Sequence, residues 1–318
     1  MELPERKDMN NQRNIVCNID NKYAKYCGVM LTSLFENNKE EEITVHILGV
    51  DLSQESKDTL SLIVKHYEQH LVFYAMGHEM LKGLPIDVAG YFTVAIYCRL
   101  FISNILPQQL DKVLYLDSDI IVRRNLNELW NTDLQDKAIA CVEDMWSDKQ
   151  DNYDRLQYDK KYSYFNSGVL LINLSYWRHH HVPEKAEEYI RNHPNRLIFP
   201  DQDVLNAILH NQKQLVSFSW NAQDGFYRQK RRIRKGTWSE IDAILSNPHI
   251  LHYTGSKKPW HTKCMHPLKK EYFKYLDMTI WKGDRPRRKV SFQMLKSLNK
   301  LLELLRIIHP KYKTIHRR

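Results

Sequence analysis

The chain has 318 residues and is 42% hydrophobic and 27% charged, values typical of globular proteins that exclude a largely disordered chain. The polar stretch 1–14 predicts no secretory signal, and no apolar run reaches the about 18 residues that a membrane-spanning helix requires. Five cysteines occur without CxxC spacing, which favours free thiols in a reducing, cytosolic setting.

The net charge of +9 is concentrated at the C-terminus. Residues 283–318 contain eleven Lys or Arg and two acidic residues, whereas the rest of the chain has equal numbers of both signs. The composition changes within "WKGDRPRRK", Trp281 to Lys289. We therefore predict a disordered N-terminal tail at 1–13, a folded domain at 14–282 and a basic C-terminal tail at 283–318.

Apolar runs alternate with amphipathic segments along the folded domain. Helices are predicted for Tyr23 to Asn38, Ser53 to Gln69 and Tyr91 to Asn104. Strands are predicted at 14–19, 43–50, 71–75, 112–116, 138–142 and 167–172. This alternation favours an α/β fold in which helices cover both faces of the sheet.

Three aspartates lie at or just after the ends of predicted strands: Asp20, Asp117 and Asp144. Ligands of α/β sheets bind at the carboxyl ends of the strands. We therefore expect these three side chains to face one crevice.

The stretch "KVLYLDSDIIV" places Asp117 and Asp119 between two apolar runs. If the segment is extended, residues two apart point to the same face, and their repulsion costs about 2.4 kcal/mol at about 7 Å and an effective dielectric of about 20. A shared cation relieves that repulsion, and carboxylates suit Mg²⁺ or Mn²⁺. The alternative is a turn with two solvated aspartates.

A second motif, "HILHYTGSKKPWH", places His252 at the end of an apolar and aromatic strand, followed by Lys257 and Lys258. A histidine as third ligand favours Mn²⁺ over Mg²⁺, and a lysine can neutralise a phosphate. The alternative is a buried structural histidine followed by a solvated basic turn.

Amides and acids typical of sugar recognition occur in "FNSGVLLINLSYWR" and "PDQDVLNAIL". Asn166 begins an apolar strand, and Asp201, Gln202 and Asp203 open a predicted helix. The alternative is that Asp201 caps this helix and Asp203 only interacts with the helix dipole.

The ordered motifs resemble glycosyltransferase family 8, the retaining enzymes that include bacterial lipopolysaccharide galactosyl- and glucosyltransferases and glycogenin. The similarity runs from about Asn14 to about Tyr275. Its blocks are "VCNIDNKYAKY", "YCRLFI", "KVLYLDSDIIV", "FNSGVLLINLSYWR", "DQDVLN" and "HYTGSKKPWH". The resemblance implies a GT-A fold, in which 14–282 is one nucleotide-binding catalytic domain.

The resemblance also implies roles for individual residues. A divalent metal, Mn²⁺ or Mg²⁺, would be held by Asp117, Asp119 and His252. The UDP-sugar would be bound by Asn18, Asp20, Tyr23, Asp117, Ser118, Gly255 and Lys258. The transferred sugar would be faced by Arg99, Asp144, Asn166, Asp201 and Gln202. The chain departs from the commonest bacterial pattern at Asn21 and Lys22, which makes the nucleotide contacts there less certain.

These features lead to the hypothesis of a metal-dependent retaining hexosyltransferase that moves galactose or glucose from a UDP-sugar to a saccharide acceptor, in cell-surface glycan synthesis. The alternatives are a phosphotransferase that uses the paired aspartates and a non-catalytic sugar-binding module on the same fold. The chain contains neither GxxxxGK[ST] nor GxGxxG, which argues against a P-loop and a dinucleotide-binding site.

The basic tail suggests a cytoplasmic enzyme bound peripherally to the inner face of the cell membrane, near a lipid-linked acceptor. Apolar residues form one helical stripe: Met294, Leu295, Leu298, Leu301, Leu302, Leu305 and Ile308. Such a stripe with basic flanks is typical of helices on anionic bilayers. Packing on protein is the alternative, whereas nucleic-acid binding is disfavoured because few aromatic residues accompany the basic ones.

Overall fold

The computed structural model describes residues 12–77, 94–287 and, nearer the C-terminus, 298, 302, 303, 305 and 307–315. Its strands are β1 (Arg13–Asp20), β2 (Ile43–Val50), β3 (His70–Ala75), β4 (Lys112–Leu116), β5 (Ile120–Val122), β6 (Ile139–Glu143), β7 (Phe165–Asn173), β8 (Lys213–Leu215), β9 (Ala222–Gln223) and β10 (Ile250–His252).

The helices are α1 (Ala24–Glu36), α2 (Gln54–His66), α3 (Ile102–Ile105), α4 (Asn127–Trp130), α5 (Gln150–Leu156), α6 (Leu174–His179), α7 (Val182–Asn192), α8 (Pro200–Leu209), α9 (Trp238–Ile244) and α10 (Lys269–Leu276). Short 3₁₀ helices lie at Val94–Phe101, Lys160–Tyr162, Pro194–Arg196, Phe218–Asn221, Asp224–Tyr227 and Lys235–Thr237. None of these helices combines the length and the apolar character needed to cross a bilayer.

Seven strands form the main sheet in the order β3-β2-β1-β4-β7-β6-β8. Strands β1 to β4 pair in parallel, whereas β7 runs antiparallel to both of its neighbours. The start of β7 therefore lies at the same sheet edge as the carboxyl ends of β1, β4 and β6. This arrangement confirms the expectation that Asp20, Asp117 and Asp144 share one edge.

Helices cover both faces of this sheet, as the sequence predicts. One core cluster contains side chains of α1 and α2, and the other contains side chains of 94–106 and of α6, α7 and α8. The eight residues of β2 are all buried, because apolar side chains of a central parallel strand are covered from both sides. All five cysteines are buried free thiols.

A second sheet, in the order β5-β10-β9, brings the two halves of the site together. Strand β10 is antiparallel to β5, and His252 pairs with Ile120. This register places His252 next to Asp119, which immediately precedes β5. Long-range strand pairing therefore joins motifs that are more than a hundred residues apart in the chain.

One predicted helix is corrected by the structure, and one alternative is excluded. The helix predicted for Tyr91 to Asn104 is a 3₁₀ helix at Val94–Phe101 that continues into α3, and residues 91–93 lie outside the described residues. The N-cap of α8 is Phe199 without a side-chain cap, so Asp201 is not a capping residue. Its carboxylate is needed for a buried ion pair and a hydrogen bond instead.

The last described residues pack on the segment that contains Asp224, Arg228 and Asp242. Tyr312 forms an isolated β-bridge with Arg228, and its hydroxyl donates to Asp224 Oδ1 at 2.9 Å. Lys313 Nζ lies 2.8 Å from Asp242 Oδ1. Residues 1–11 lie outside the described residues, as do Met294, Leu295 and Leu301 of the apolar stripe.

Candidate active site

Asp117 and Asp119 lie in the turn between β4 and β5. The segment is not extended, so the predicted reason for their proximity is wrong. The turn nevertheless directs both carboxylates to His252: its Nε2 lies 3.0 Å from Asp119 Oδ1 and 3.6 Å from Asp117 Oδ2. The turn is held to the sheet because Asp117 N donates to the carbonyl of Gly168 at 2.9 Å.

One ligand atom from each of Asp117, Asp119 and His252 lies within 4.8 Å of the other two. His252 Nδ1 lies 2.9 Å from Asn221 Oδ1, a contact that orients the imidazole ring. In its neutral form the ring can offer the Nε2 lone pair, so this nitrogen and the two carboxylates can bind one cation together. The three side chains thus fit a divalent metal.

Gly168 provides the space for this cluster. A Cβ at this position would lie 2.3 Å from His252 Cε1 and 2.5 Å from Asp117 Oδ2, which is closer than atoms in contact can approach. The pairing of β7 with β6 is irregular near Gly168, because its register shifts between Cys141 and Val142 of β6. Such bulges commonly redirect a strand next to a functional site.

Two cationic side chains contact the paired carboxylates. Arg99 Nη2 donates to Asp117 Oδ1 at 2.8 Å, and the Lys258 ammonium contacts Asp119 Oδ2. Burial by itself would raise the pKa of Asp119, but Lys258 and His252 outweigh it and hold the pKa well below its usual range. Asp119 therefore remains a carboxylate at any physiological pH.

A buried polar network lies beside the cluster. Asn166 Nδ2 donates to Asp144 Oδ2 and to Gln202 Oε1, both at 3.0 Å. Gln202 Oε1 also accepts from Ser167 N at 3.1 Å. Asp201 Oδ2 accepts from Ser167 Oγ at 2.9 Å. These bonds fix the orientation of each amide and acid, which directional recognition of hydroxyl groups requires.

Arg99 and Asn221 connect the network to the paired carboxylates. Arg99 Nη1 lies 3.1 Å from Asp201 Oδ2, while its other terminal nitrogen binds Asp117. Asn221 Nδ2 donates to Asn166 Oδ1 at 2.8 Å, and its oxygen faces His252. These contacts join the polar network and the paired carboxylates into one hydrogen-bonded cluster.

The carboxyl group of Asp144 has a raised pKa. Its burial raises the pKa to about 6, although hydrogen bonds from Asn166, the backbone N of Trp146 and Gln202 favour the charged form. An acid with this pKa changes charge close to neutral pH, which is a common property of functional groups.

The residues predicted to bind the nucleotide adjoin the same cluster. The Tyr115 hydroxyl lies within hydrogen-bond distance of both Asn18 Oδ1 and, at 2.8 Å, Asp117 Oδ1. Asp20 Oδ1 accepts from Tyr23 N at 3.1 Å. Burial and the negative charges of Asp119, Asp20 and Asp117 raise the pKa of Tyr23 to about 12, and 39% of this residue is exposed. Ser118 is buried within the turn.

A second turn, at residues 254–258, lies against the carboxylates from the other side. Lys258 Nζ donates to the carbonyl of Tyr253 at 2.7 Å as well as to Asp119. A Cβ on Gly255 would lie 3.0 Å from Cγ of Asp224, so a larger residue would press on that buried carboxylate. The ring of Trp260 stacks on Tyr26 at 3.7 Å and 9°, which ties this turn to α1.

Comparison with known proteins identifies the family. Residues 14–264 match the model of glycosyl transferase family 8. The chain belongs to this family. General stress protein A of Bacillus subtilis (strain 168) is 28% identical over 275 residues, which cover 84% of this chain and 94% of that protein. A lipopolysaccharide 1,2-glucosyltransferase of Escherichia coli is 30% identical over 262 residues, 81% of this chain and 76% of that protein.

Comparison with a solved structure identifies the fold. The galactosyltransferase LgtC, crystallised with donor and acceptor sugar analogs, superposes with a TM-score of 0.76. The match covers 88% of this chain and 99% of that one at 24% identity. The fold of this family 8 glycosyltransferase is therefore GT-A, as the motifs imply.

The structure brings the predicted site residues of this family 8 member to one edge of the sheet, and their individual roles stay predictions. Three further residues of the site have no separate signal in the sequence: Gly168, Tyr115 and Asn221. Gly168 and Tyr115 lie inside apolar strands, so the sequence pattern predicts core residues there. Asn221 is distant in sequence from every motif, so only the fold reveals its contact with His252.

Proposed function

We propose that this protein is a metal-dependent retaining hexosyltransferase, which transfers glucose or galactose from a UDP-sugar to a saccharide acceptor in cell-surface glycan synthesis. The observation that carries the proposal is the approach of Asp117, Asp119 and His252 to within 4.8 Å, beside the buried network of Asp144 and Gln202. The similarity to a lipopolysaccharide 1,2-glucosyltransferase and to a lipopolysaccharide 1,3-galactosyltransferase supports both candidate sugars.

In this proposal Asp117, Asp119 and His252 hold Mn²⁺ or Mg²⁺, which when bound acts as a Lewis acid on the diphosphate leaving group. Asn18, Asp20, Tyr23 and Ser118 bind the uridine and ribose. The sugar faces Arg99, Asp144, Asn166, Asp201 and Gln202. No second carboxylate pair of the kind used by glycoside hydrolases is invoked.

The reaction replaces the bond between the anomeric carbon and the phosphate oxygen by a bond to the acceptor oxygen. The acceptor proton passes to the departing phosphate oxygen, so the products are a glycoside and UDP. Gln202 and Asp144 hold the sugar while positive charge develops on it. Attack from the face that UDP leaves keeps the anomeric configuration.

Lys258 has to change partners during this reaction. Its ammonium contacts Asp119 in the structure, yet an ammonium and a divalent cation repel each other at one carboxylate. We propose that Lys258, next to the turn at Gly255, moves to the diphosphate when the donor binds. There its charge stabilises the UDP that leaves.

The experiment that tests the proposal measures UDP release. Purified protein is incubated with UDP-glucose or UDP-galactose and Mn²⁺, with and without candidate saccharide acceptors, and the anomeric configuration of the product is read by NMR. Release of UDP with retention is expected. Release of inorganic phosphate, or transfer of a phosphoryl group, would instead identify a phosphotransferase.

We expect turnover to fall as the pH drops through about 6, the pKa of Asp144. The amides of Asn166 and Gln202 donate to the ionised carboxylate at 3.0 and 3.3 Å, so protonation disturbs the groups that face the sugar. Initial rates of UDP release between about pH 5 and pH 8 measure this. Asp144→Asn should react slowly and lack the step near pH 6; the same step in this variant would assign it to another group.

We also propose that the basic C-terminal tail holds the enzyme at the anionic cytoplasmic face of the membrane, near a lipid-linked acceptor. The support comes from Leu298, Leu305 and Ile307, which are 50%, 60% and 66% exposed, whereas Leu302 and Ile308 are half-buried. Exposed apolar side chains beside basic residues are typical of interfacial segments.

Replacing Leu298, Leu305 and Ile307 by Gln should lower the vesicle partition coefficient by at least about 100-fold, since each apolar side chain that leaves the interface loses about 1.5 kcal/mol or more. Sedimentation with phosphatidylglycerol vesicles measures this. The matched control is Leu62→Gln, a 63% exposed leucine on α2. Equal pelleting of the triple variant and the wild type would show that the tail is not the anchor.

A further inference from the structure

A cavity of about 440 Å³ begins at the two residues that follow Asp144. Its lining comes from residues 145–146, from the segment 225–232 and from residues 309–311 near the C-terminus. The volume is within the range of sites for small ligands, about 300–1,000 Å³. We refer to this cavity as the basic pocket.

Cationic residues dominate the lining of the basic pocket. Arg228, Lys230, Arg232 and Lys311 line it together with His309, and none of the lining residues is acidic. Arg228 is neutralised, because its Nε donates to Asp224 Oδ2 at 2.9 Å.

In the part of the chain that the structure describes, no carboxylate pairs with Lys230, Arg232 or Lys311. Two acids in the adjoining segments are already engaged. Glu143 Oε2 accepts from Arg234 Nη2 at 2.7 Å, and Asp148 Oδ1 lies 2.8 Å from Lys160 Nζ. The pocket therefore carries about three uncompensated positive charges, and such a charge surplus attracts an anionic ligand.

The basic pocket adjoins the groups proposed to face the transferred sugar. Trp146 N donates to Asp144 Oδ1 at 2.7 Å, and the other oxygen of Asp144 is 3.3 Å from Gln202 Nε2. The indole ring of Trp146, which lies under the guanidinium of Arg232 at 4.7 Å, provides a flat apolar surface of the kind that lines ligand sites. A ligand in the pocket would thus lie next to the groups proposed to face the transferred sugar.

The donor diphosphate is not the anion that the pocket receives. Its proposed ligands, Lys258 and Gly255, lie on the far side of Asp224, and this carboxylate separates Gly255 from Arg228. Met145 also intervenes, because its Sδ lies 3.1 Å from Gly225 N and 3.5 Å from Thr254 Oγ1. The uncompensated charge is therefore available to the second substrate.

We propose that the basic pocket selects an acceptor saccharide that carries a phosphate ester. This inference rests on the proposed function and specifies its acceptor class. A phosphate monoester has a charge of about −1.5 to −2 at neutral pH and three acceptor oxygens. It therefore matches the charge of one arginine and two lysines better than a ligand with a single carboxylate would. The sugar ring packs on Trp146 while the phosphate meets Lys230, Arg232 and Lys311.

The test measures binding by calorimetry with full-length protein saturated with UDP and Mn²⁺, so that the donor site is filled. The probes are glucose, glucose 6-phosphate, glycerol 3-phosphate and inorganic phosphate. The variant Lys230→Ser, Arg232→Ser, Lys311→Ser is compared with a control that removes equal charge from exposed helices: Lys65→Ser, Lys185→Ser, Arg191→Ser. Thermal melting verifies that both variants are folded.

Wild type should bind glucose 6-phosphate at least about tenfold more tightly than glucose at low salt. The pocket variant should lose this preference, because the three charges that recognise the phosphate are removed, and the control variant should keep it. Tighter binding of glucose 6-phosphate than of glycerol 3-phosphate supports a phosphorylated sugar. Tighter binding of glycerol 3-phosphate overturns the saccharide part of the proposal. So does binding of inorganic phosphate that is as tight as that of glucose 6-phosphate.

Equal binding of glucose and glucose 6-phosphate, including no detectable binding of either, overturns the inference. So does a preference that survives in the pocket variant. If wild type binds UDP and releases it from UDP-sugars, these results leave the proposed function intact. If it does neither, the proposed function itself fails.

Discussion

Asp119→Asn should lower the rate of UDP release by about 1,000-fold, because the loss of several kcal/mol of Lewis-acid stabilisation corresponds to this factor. The amide has the size of the carboxylate but no charge. It leaves His252 and Lys258, which both contact Asp119, without their anionic partner. Initial rates with Mn²⁺ measure the loss, and equilibrium dialysis measures the bound metal.

The matched control is Asp58→Asn, an exposed aspartate on α2 whose carboxylate accepts a hydrogen bond from Gln54. Its rate and metal content should equal those of the wild type. A fully active Asp119→Asn variant that still binds Mn²⁺ would remove Asp119 from the metal site. A variant that loses metal but keeps its rate would mean that turnover does not depend on the ion.

Gly168→Ala should reduce turnover by about 100-fold and lower the free energy of unfolding by about 1–3 kcal/mol. The added methyl group would lie 2.3 Å from His252 Cε1 and 2.5 Å from Asp117 Oδ2, so the two ligands must move apart. A displacement of about 1 Å at a reacting group is enough for a rate loss of this size. UDP release and thermal unfolding measure the two effects.

The control is Gly236→Ala, because nothing lies within 4 Å of a Cβ built at this position. It distinguishes crowding of the two ligands from a general effect of adding a methyl group. This control should retain the wild-type rate and stability. Full activity of Gly168→Ala would show that the two ligands have more room to move than their packing indicates. A stable Gly168→Ala protein with normal metal binding but no turnover would place the damage at the sugar instead.

The local sequence pattern predicted the first and last residues of several strands correctly. Strands β2 (Ile43–Val50) and β4 (Lys112–Leu116) have the predicted bounds, because strands buried on both faces are rich in apolar residues. The ordered motifs also specified the family and the GT-A fold, both confirmed by the comparisons.

The candidate site was predicted in composition but not in geometry. Asp117 and Asp119 were expected to share a face of an extended segment, yet a turn brings them together and His252 reaches them through the pairing of β10 with β5. Asp201 was open to interpretation as a helix cap, and its ion pair with Arg99 is a contact between distant segments. Such contacts leave no local pattern.

The sequence by itself thus determined which segments form strands, which fold family they build and which polar residues follow the strands, since these depend on neighbouring side chains. Only the tertiary structure decided that β7 runs antiparallel, that Gly168 leaves room between two ligands, and that residues 309–311 close a basic pocket beside Trp146. Pairing between remote segments depends on the packing of the whole chain, because its free energy comes from surfaces that meet only after folding.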